Sequence, residues 1–281
     1  MLAYINHNGT IVQKNEAILL VDNMSYRYGY GLFETMKLIN NKIILEELHF
    51  DRLFFGLEML KFELNPSFQP EQLKEQIIQL GKKNNCEDLA RIRLSVYGGN
   101  GDLTDKNEKA GYVIECWPLG KERLELNEKG LIIDIYPDAR KSCDAFSNLK
   151  TASFLTYKMA AKYAQVINLD DAILLNSHQR ICETSIANIF LVKENSILTP
   201  PLSEGCVNGT IRRYLINKLR QDSKFTISEQ PLTISDLENA DEVFLTNAIS
   251  GIRWAKQFRK KTYLNVKSTA LYNQFIACLL S

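Results

Sequence analysis

The stretch DDAILLNSHQRICETSIANIFLV, residues 170–192, decides how the chain reads. It holds three short apolar, β-branched runs, Ala172–Leu175, Ile181–Glu183 and Asn188–Val192, separated by turn-forming Asn, Ser and Thr, and Ser196–Thr199 supplies a fourth. Runs of this length between turn residues read as consecutive strands. Upstream, Leu155, Met159, Tyr163 and Val166 recur at helical spacing and predict a helix. Downstream, a helix near Ile211–Leu219, a strand near Glu242–Thr246 and an amphipathic helix around Leu271–Leu279 are expected.

The N-terminal part reads as α/β. Leu2–Ile5 and Thr10–Gln13 flank Asn8-Gly9, a strong hairpin signal. A glycine-spaced turn over Arg27–Gly31 leads into a strand Leu32–Leu38, an Asn40-Asn41 turn and a strand Lys42–Leu45. Phe50, Leu53, Phe54, Leu57 and Leu60 then fall on one helical face, and Pro70 opens a second helix carrying Leu73, Ile77 and Leu80. From Ala90 to Tyr97 the alternation is strict, with Arg91, Arg93, Ser95 and Tyr97 on the polar face. Tyr112–Trp117 is its returning strand. The polar segment Leu119–Lys129 marks a boundary, giving an N-terminal domain over 1–120 and a larger, β-rich C-terminal domain with flanking helices over 121–281.

Composition sets outer limits. The chain has 281 residues, 45% hydrophobic and 24% charged, which is ordinary globular usage. Lys+Arg number 34 against 33 Asp+Glu, a net charge of +1 without a dense basic run, so no nucleic-acid partner is expected. The start, MLAYINHNGTIV, has neither a basic n-region nor an apolar h-region, and no span of about 18 consecutive apolar residues occurs. A cytoplasmic protein without a membrane span is therefore expected. Six cysteines stand singly, without a C-x-x-C pair, and read as reduced thiols. The three histidines are scattered, so no metal is implied.

Common catalytic signatures are missing: there is no G-x-x-x-x-G-K-[ST], H-E-x-x-H or G-x-S-x-G. Instead an ordered series appears: YGYGLFET (28–35), LEELHFDRL (45–53), NLKTASFLTYKMAAKYA (148–164), the opening stretch, ILTPPLSEGCVNGTIRR (197–213) and DEVFLTNAISGI (241–252). Together these segments resemble the class IV aminotransferase family, the fold-type IV pyridoxal-phosphate (PLP) enzymes. The resemblance runs in family order from about residue 3 to 252. It implies the mixed α/β, two-domain architecture of D-amino-acid aminotransferase-like enzymes, a small-molecule amino or carboxylate substrate, and a homodimer.

By this resemblance Lys150 is the Schiff-base lysine, whose amine serves as imine partner and proton shuttle. Glu183 is the acid set against the pyridine nitrogen, keeping the ring an electron acceptor. Gly209, Thr210 and Ile211, a glycine leading into a helix, form the phosphate cradle, where free N–H groups suit an anion. Arg52 pairs with the phosphate, and Ala248 is a cofactor-proximal position. The family includes 4-amino-4-deoxychorismate lyases, which serve folate biosynthesis, and branched-chain and D-amino-acid aminotransferases, which use 2-oxoglutarate. Val207-Asn208-Gly209, Asn247-Ala248 and the compact length lean toward the lyases. Against them, the loop after Tyr97 reads Gly98-Gly99-Asn100-Gly101-Asp102 and lacks the lyases' arginines. Arg27, Arg91, Arg93 and Arg253 are then the candidates for a substrate carboxylate. A degenerate, non-catalytic scaffold is the remaining alternative.

Overall fold

The computed structural model describes residues 3–16, 18–104 and 109–280. Leu2 of the expected first strand, and part of the expected Gly98–Lys109 loop, lie outside them. The chain forms two compact units, one of residues up to Lys121 together with Leu149–Phe154, the other of Glu122–Asn148 with everything from Leu155 onward.

In the first unit β1 (Tyr4–His7) and β2 (Thr10–Gln13) form the hairpin. Asn8 and Gly9 both take positive φ, 50° and 91°, which matches the twist of the flanking strands. Residues Met24–Tyr28 form α1 rather than part of a turn, because the Asn23 side chain accepts from the Ser25 and Tyr26 N–H groups and starts a helix. Gly29, at φ 68°, ends it. β3 (Gly31–Ile39), the short β4 (Lys42–Ile43), α2 (Glu46–Met59), α3 (Pro70–Lys83), β5 (Leu89–Tyr97) and β6 (Gly111–Pro118) follow. The six strands make one antiparallel sheet in the order β2-β1-β6-β5-β3-β4. Its apolar face, with Met36, Leu38, Ile92, Leu94 and Ile114, packs on Phe50, Leu53, Leu57, Leu73, Ile77 and Leu80 of the two helices. The alternation seen along Ala90–Tyr97 is thus the two faces of β5.

The second unit contains β7 (Leu131–Ile135), α4 (Leu155–Val166), β8 (Asp171–Leu175), β9 (Ile181–Thr184), β10 (Asn188–Lys193), β11 (Ser196–Thr199), α5 (Thr210–Leu219), β12 (Thr226–Glu229), α6 (Ile234–Asn239), β13 (Glu242–Asn247), β14 (Gly251–Phe258), β15 (Lys261–Thr262) and α7 (Val266–Leu271). Its mixed sheet runs β12-β11-β10-β13-β14-β7-β8-β9, with β15 beside β14. Two details depart from expectation. β14 is a central strand the sequence does not announce, since a register shift between Ala255 and Gln257 breaks its alternation. The buried face of α4 is Ala160 and Ala164, packed on Tyr136, Ala172 and Leu174, while Leu155, Met159 and Val166 stand exposed. Small side chains let this helix approach its strand closely, so its core stripe is not its bulkiest one.

Leu149–Phe154 belongs to the first unit, not to the C-terminal domain expected to carry Lys150. The reason is backbone pairing: the Phe33 N–H donates to the Lys150 carbonyl (2.9 Å), and the Ala152 N–H to the Gly31 carbonyl (2.8 Å). Leu149 closes the same apolar core. These bonds predict that Ala152→Pro, which removes the donor to Gly31, costs about 1–3 kcal/mol, the scale of a hydrogen bond whose acceptor is left unpaired. The urea midpoint should fall and the Phe33 amide should exchange faster; unchanged exchange at Phe33 would show that the pairing does not hold this segment.

Candidate active site

In the first unit, two expected site residues meet adjacent positions of β3. Lys150, half-buried, carries its Nζ over the Phe33 ring, 4.5 Å from the centroid, and 5.7 Å from that of Phe154. The two rings meet edge to face at 5.4 Å. The Arg93 guanidinium also lies over Phe33, at 3.9 Å, and its Nε donates to the Ser95 hydroxyl at 3.0 Å. Burial, relieved in part by Glu115, lowers the Arg93 pKa. An amine and a guanidinium thus share one aromatic ring, an arrangement that each cation's attraction to the ring quadrupole favours.

The second residue, Arg52, is buried beside Glu34, with Nε 2.7 Å from Oε1 and Nη2 2.6 Å from Oε2. His49 Nδ1 lies 2.6 Å from the same Oε2. What the structure shows of Arg52 is therefore a two-pronged ion pair with a carboxylate that the sequence reading did not select. The signal was available: Glu34 is an acid inside the apolar run of β3. Burial alone would raise the Glu34 carboxyl, but Arg52 and His49 outweigh it and hold it down at about 2. His49 is lowered from its ordinary 6.5, first by burial and then by the Arg52 and Lys150 charges, against a raising pull from Glu34.

In the second unit Glu183 and Gly209 both lie against Asn188 of β10. Glu183 is buried at the end of β9, next to a register shift against Leu174 and Leu175 that leaves Cys182 without an opposite residue. Such a bulge re-aims the side chains beside it. Asp171 fixes the residues after it, accepting from the Thr184 hydroxyl and from the Ser185 N–H and hydroxyl. The Glu183 carboxylate accepts from Lys141 Nζ (2.7 Å), the Tyr157 hydroxyl (2.6 Å), the Val207 N–H (3.1 Å to each oxygen) and, at 3.4 Å, Asn188 Nδ2. Burial, and then the Glu183 charge, push the Tyr157 hydroxyl up and the Cys206 thiol up to about 12, so both stay protonated at neutral pH.

Asn188 links Glu183 to the cradle. Its Nδ2 donates to the Val207 carbonyl at 2.9 Å, and its Oδ1 lies 2.0 Å from where a Cβ on Gly209 would stand. Glycine is required there by space, since its φ of −64° is ordinary. Gly209 caps the 10-residue α5, whose first turn carries the buried Thr210 and Ile211. Asn188 faces Thr246 across β10 and β13, and the Thr246 hydroxyl is buried without a hydrogen-bond partner. Ala248 follows in a turn that Asn247 closes by accepting from the Ile249 and Ser250 N–H groups. A helix N-terminus too tight for a side chain, an orphaned buried hydroxyl and a buried carboxylate with donors on both oxygens fit a phosphate-bearing heteroaromatic group. Lys141, Tyr157, Asn188 and Thr246 were not singled out from sequence. A polar Asn within the apolar strand IANIFLV was the readable hint; Lys141 offered none.

Residues 31–258 match the family described as "Amino-transferase class IV". The chain belongs to the class IV aminotransferase family. It is accordingly a PLP-dependent enzyme of fold type IV. Among members of this family, a putative branched-chain-amino-acid aminotransferase of Methanocaldococcus jannaschii is 29% identical over 87% of this chain and 84% of its own length. The aminodeoxychorismate lyase of Bacillus subtilis is 26% identical over 86% and 82%. In fold, the chain superposes on the branched-chain aminotransferase of Thermoproteus uzoniensis with a TM-score of 0.89 at 22% identity, covering 100% of this chain and 95% of that one. Among the described residues no helix is long and apolar enough to cross a membrane, and no group of three or more His, Cys, Asp or Glu could hold a metal ion.

The Glu34 cluster generates a pH prediction. Glu34 lies below its ordinary 4.5, so its stabilisation is full above that value and is lost as pH falls toward 2. His49, also lowered, adds a loss that begins as pH falls below 6.5, where the unfolded chain takes up the proton first. Glu34 contributes about 3 kcal/mol in all. Urea midpoints measured from pH 7 to pH 3 should fall for the wild type and be flatter below pH 4.5 for Glu34→Gln; parallel curves would contradict the assignment. Arg52→Ala strands a buried carboxylate and should cost about 3–5 kcal/mol.

Proposed function

We propose that the chain is a PLP-dependent lyase that releases pyruvate and 4-aminobenzoate from 4-amino-4-deoxychorismate, with Lys150 as its catalytic residue and Arg52, Glu183, Gly209, Thr210, Ile211 and Ala248 toward the cofactor. The observation that carries this reading is that one lyase-like segment, Val207-Asn208-Gly209, contacts Glu183, and the other follows Thr246, the partner of Asn188 across the sheet. Val207 places its N–H on the Glu183 carboxylate, and Asn247 closes the turn beyond Thr246, which faces Asn188.

Bound PLP supplies an electron sink for the carbon that carries the substrate amine. The chain's own groups do the rest. The Lys150 amine takes the proton from that carbon and returns one to the departing enolpyruvate. The Glu183 carboxylate holds negative charge where a protonated ring nitrogen needs it. The Gly209–Ile211 turn holds the phosphate, a handle that does not react.

The four carboxylate candidates differ in their surroundings. Arg27 already pairs with Asp102 at 2.9 Å, and Arg91 lies over the Trp117 ring at 5.4 Å. Arg253 belongs to the second unit, where burial and Arg123 lower its pKa. Arg93 shares the Phe33 ring with Lys150 and makes no ion pair among the described residues. It is therefore our choice to orient a substrate carboxylate, in place of the arginines missing from the loop after Tyr97.

A second reading, an aminotransferase using 2-oxoglutarate, is favoured by the higher identity to the putative branched-chain enzyme. The two differ in stoichiometry, because elimination needs no amino acceptor. PLP-loaded protein given aminodeoxychorismate alone should release pyruvate, and Lys150→Ala should lower this by more than about 10²–10⁴-fold, the usual cost of losing an acid/base group by itself. Glutamate formation from 2-oxoglutarate and leucine, valine or a D-amino acid, without pyruvate release, would replace the lyase by the aminotransferase.

A further inference from the structure

Glu183 is a buried carboxylate, and the identity of its ion-pair partner sets what it can do. Lys141 is the cation within ion-pair distance of it among the described residues, and both side chains are buried. The backbone holds Lys141 in place: its N–H donates to the Leu175 carbonyl at 2.9 Å, and it forms an isolated bridge with Asn176 at the end of β8. Its ammonium has three protons and meets three acceptors, Glu183 Oε1 at 2.7 Å, the Ser147 carbonyl at 3.3 Å and the Tyr157 hydroxyl. The same hydroxyl donates to Glu183 Oε1 at 2.6 Å, which closes a triangle.

Among the described residues, further donors to Glu183 are neutral, the Tyr157 hydroxyl, the Val207 N–H and the Asn188 amide, and the nearby Cys182 and Cys206 thiols are raised by burial first and the Glu183 charge next. A buried carboxylate with neutral donors alone tends to take a proton instead of staying charged. A neutral acid could not hold a protonated ring nitrogen. The Val207 N–H is shared equally by both oxygens, but the triangle adds Lys141 and Tyr157 to Oε1, whereas Oε2 gains only the longer Asn188 contact.

We propose that Lys141 is the positioning residue for Glu183, keeping the carboxylate ionised and turned so that its Oε2 side is the one offered to the ring nitrogen of the cofactor. This rests on the proposed PLP role of Glu183. Lys141 does not touch the reacting atoms; it acts through the carboxylate. Its role is therefore unlike that of the half-buried Lys150.

The test compares wild type with Lys141→Met, Lys141→Arg and Tyr157→Phe. In the apo protein, the ionised fraction of Glu183 at pH 7 is read from 13C-labelled glutamate carboxyl signals, assigned with Glu183→Gln. It should fall in Lys141→Met and stay at the wild-type level in Lys141→Arg and Tyr157→Phe, both of which keep the cation. In protein loaded with 15N-labelled PLP, the ring-nitrogen signal should move to its unprotonated position in Lys141→Met alone, with PLP retention down about tenfold or more, the scale of one charge-assisted hydrogen bond. An ionised Glu183 and a protonated ring in Lys141→Met would overturn the proposal. Should Lys141→Met not fold, loss of Glu183 ionisation in Lys141→Arg or Tyr157→Phe would overturn it, and retention in both would support it. If wild type takes up no PLP, the functional reading fails, while the apo comparison still decides the role of Lys141.

Discussion

The buried carboxylate of Glu183 is the constraint around which the second unit is organised. An ionised carboxylate cannot be left in the interior without donors on its oxygens. Meeting that requirement draws in Lys141 from the segment after β7, Tyr157 from α4, Val207 from the approach to α5 and Asn188 from β10. These elements are separated in sequence by between 5 and 42 residues from Glu183. The same Asn188 leaves no room for a side chain at Gly209, so the carboxylate and the helix N-terminus are fixed by one amide. The bulge at Cys182 and the Asp171 bonds to Thr184 and Ser185 then explain why DDAILLNSHQRICETSIANIFLV is so particular in its polar positions.

The first unit repeats this logic with opposite partners. Glu34 sits inside an apolar strand because Arg52 and His49 of α2 answer it, and that triad anchors α2 to β3 by charge as well as by Leu53 and Leu57. Next to Glu34 on the same strand, Phe33 offers its ring to Lys150 and Arg93 and its N–H to the Lys150 backbone. Adjacent residues of β3 thus face opposite ways, one into the core of the unit and one toward the cations, as the two-residue period of a strand demands.

Periodicity made much of this fold legible. The hairpin, β3, β5, β6, α2, α3 and the run from β8 to β11 all follow from alternation, helical spacing and turn residues. It failed where packing overrides pattern: α1 depends on one Asn cap, β14 hides behind a register shift, and α4 buries alanines. The proposed site was legible in a different way. Lys150, Glu183 and Gly209 stand in ordered motifs, but the side chains that contact Glu183 were not singled out with them. Lys141 and Tyr157 are ordinary letters until the chain folds, because their contacts with Glu183 span 42 and 26 residues, whereas Glu34 and Asn188 are readable as polar residues inside apolar strands.

The account's central claim is that the half-buried amine of Lys150 holds the cofactor, while the buried Lys141 is committed to Glu183. Borohydride reduction of PLP-loaded protein followed by peptide mass mapping tests it directly. The account predicts a single phosphopyridoxyl label on Lys150. A label on Lys141, or no label on either, would contradict it.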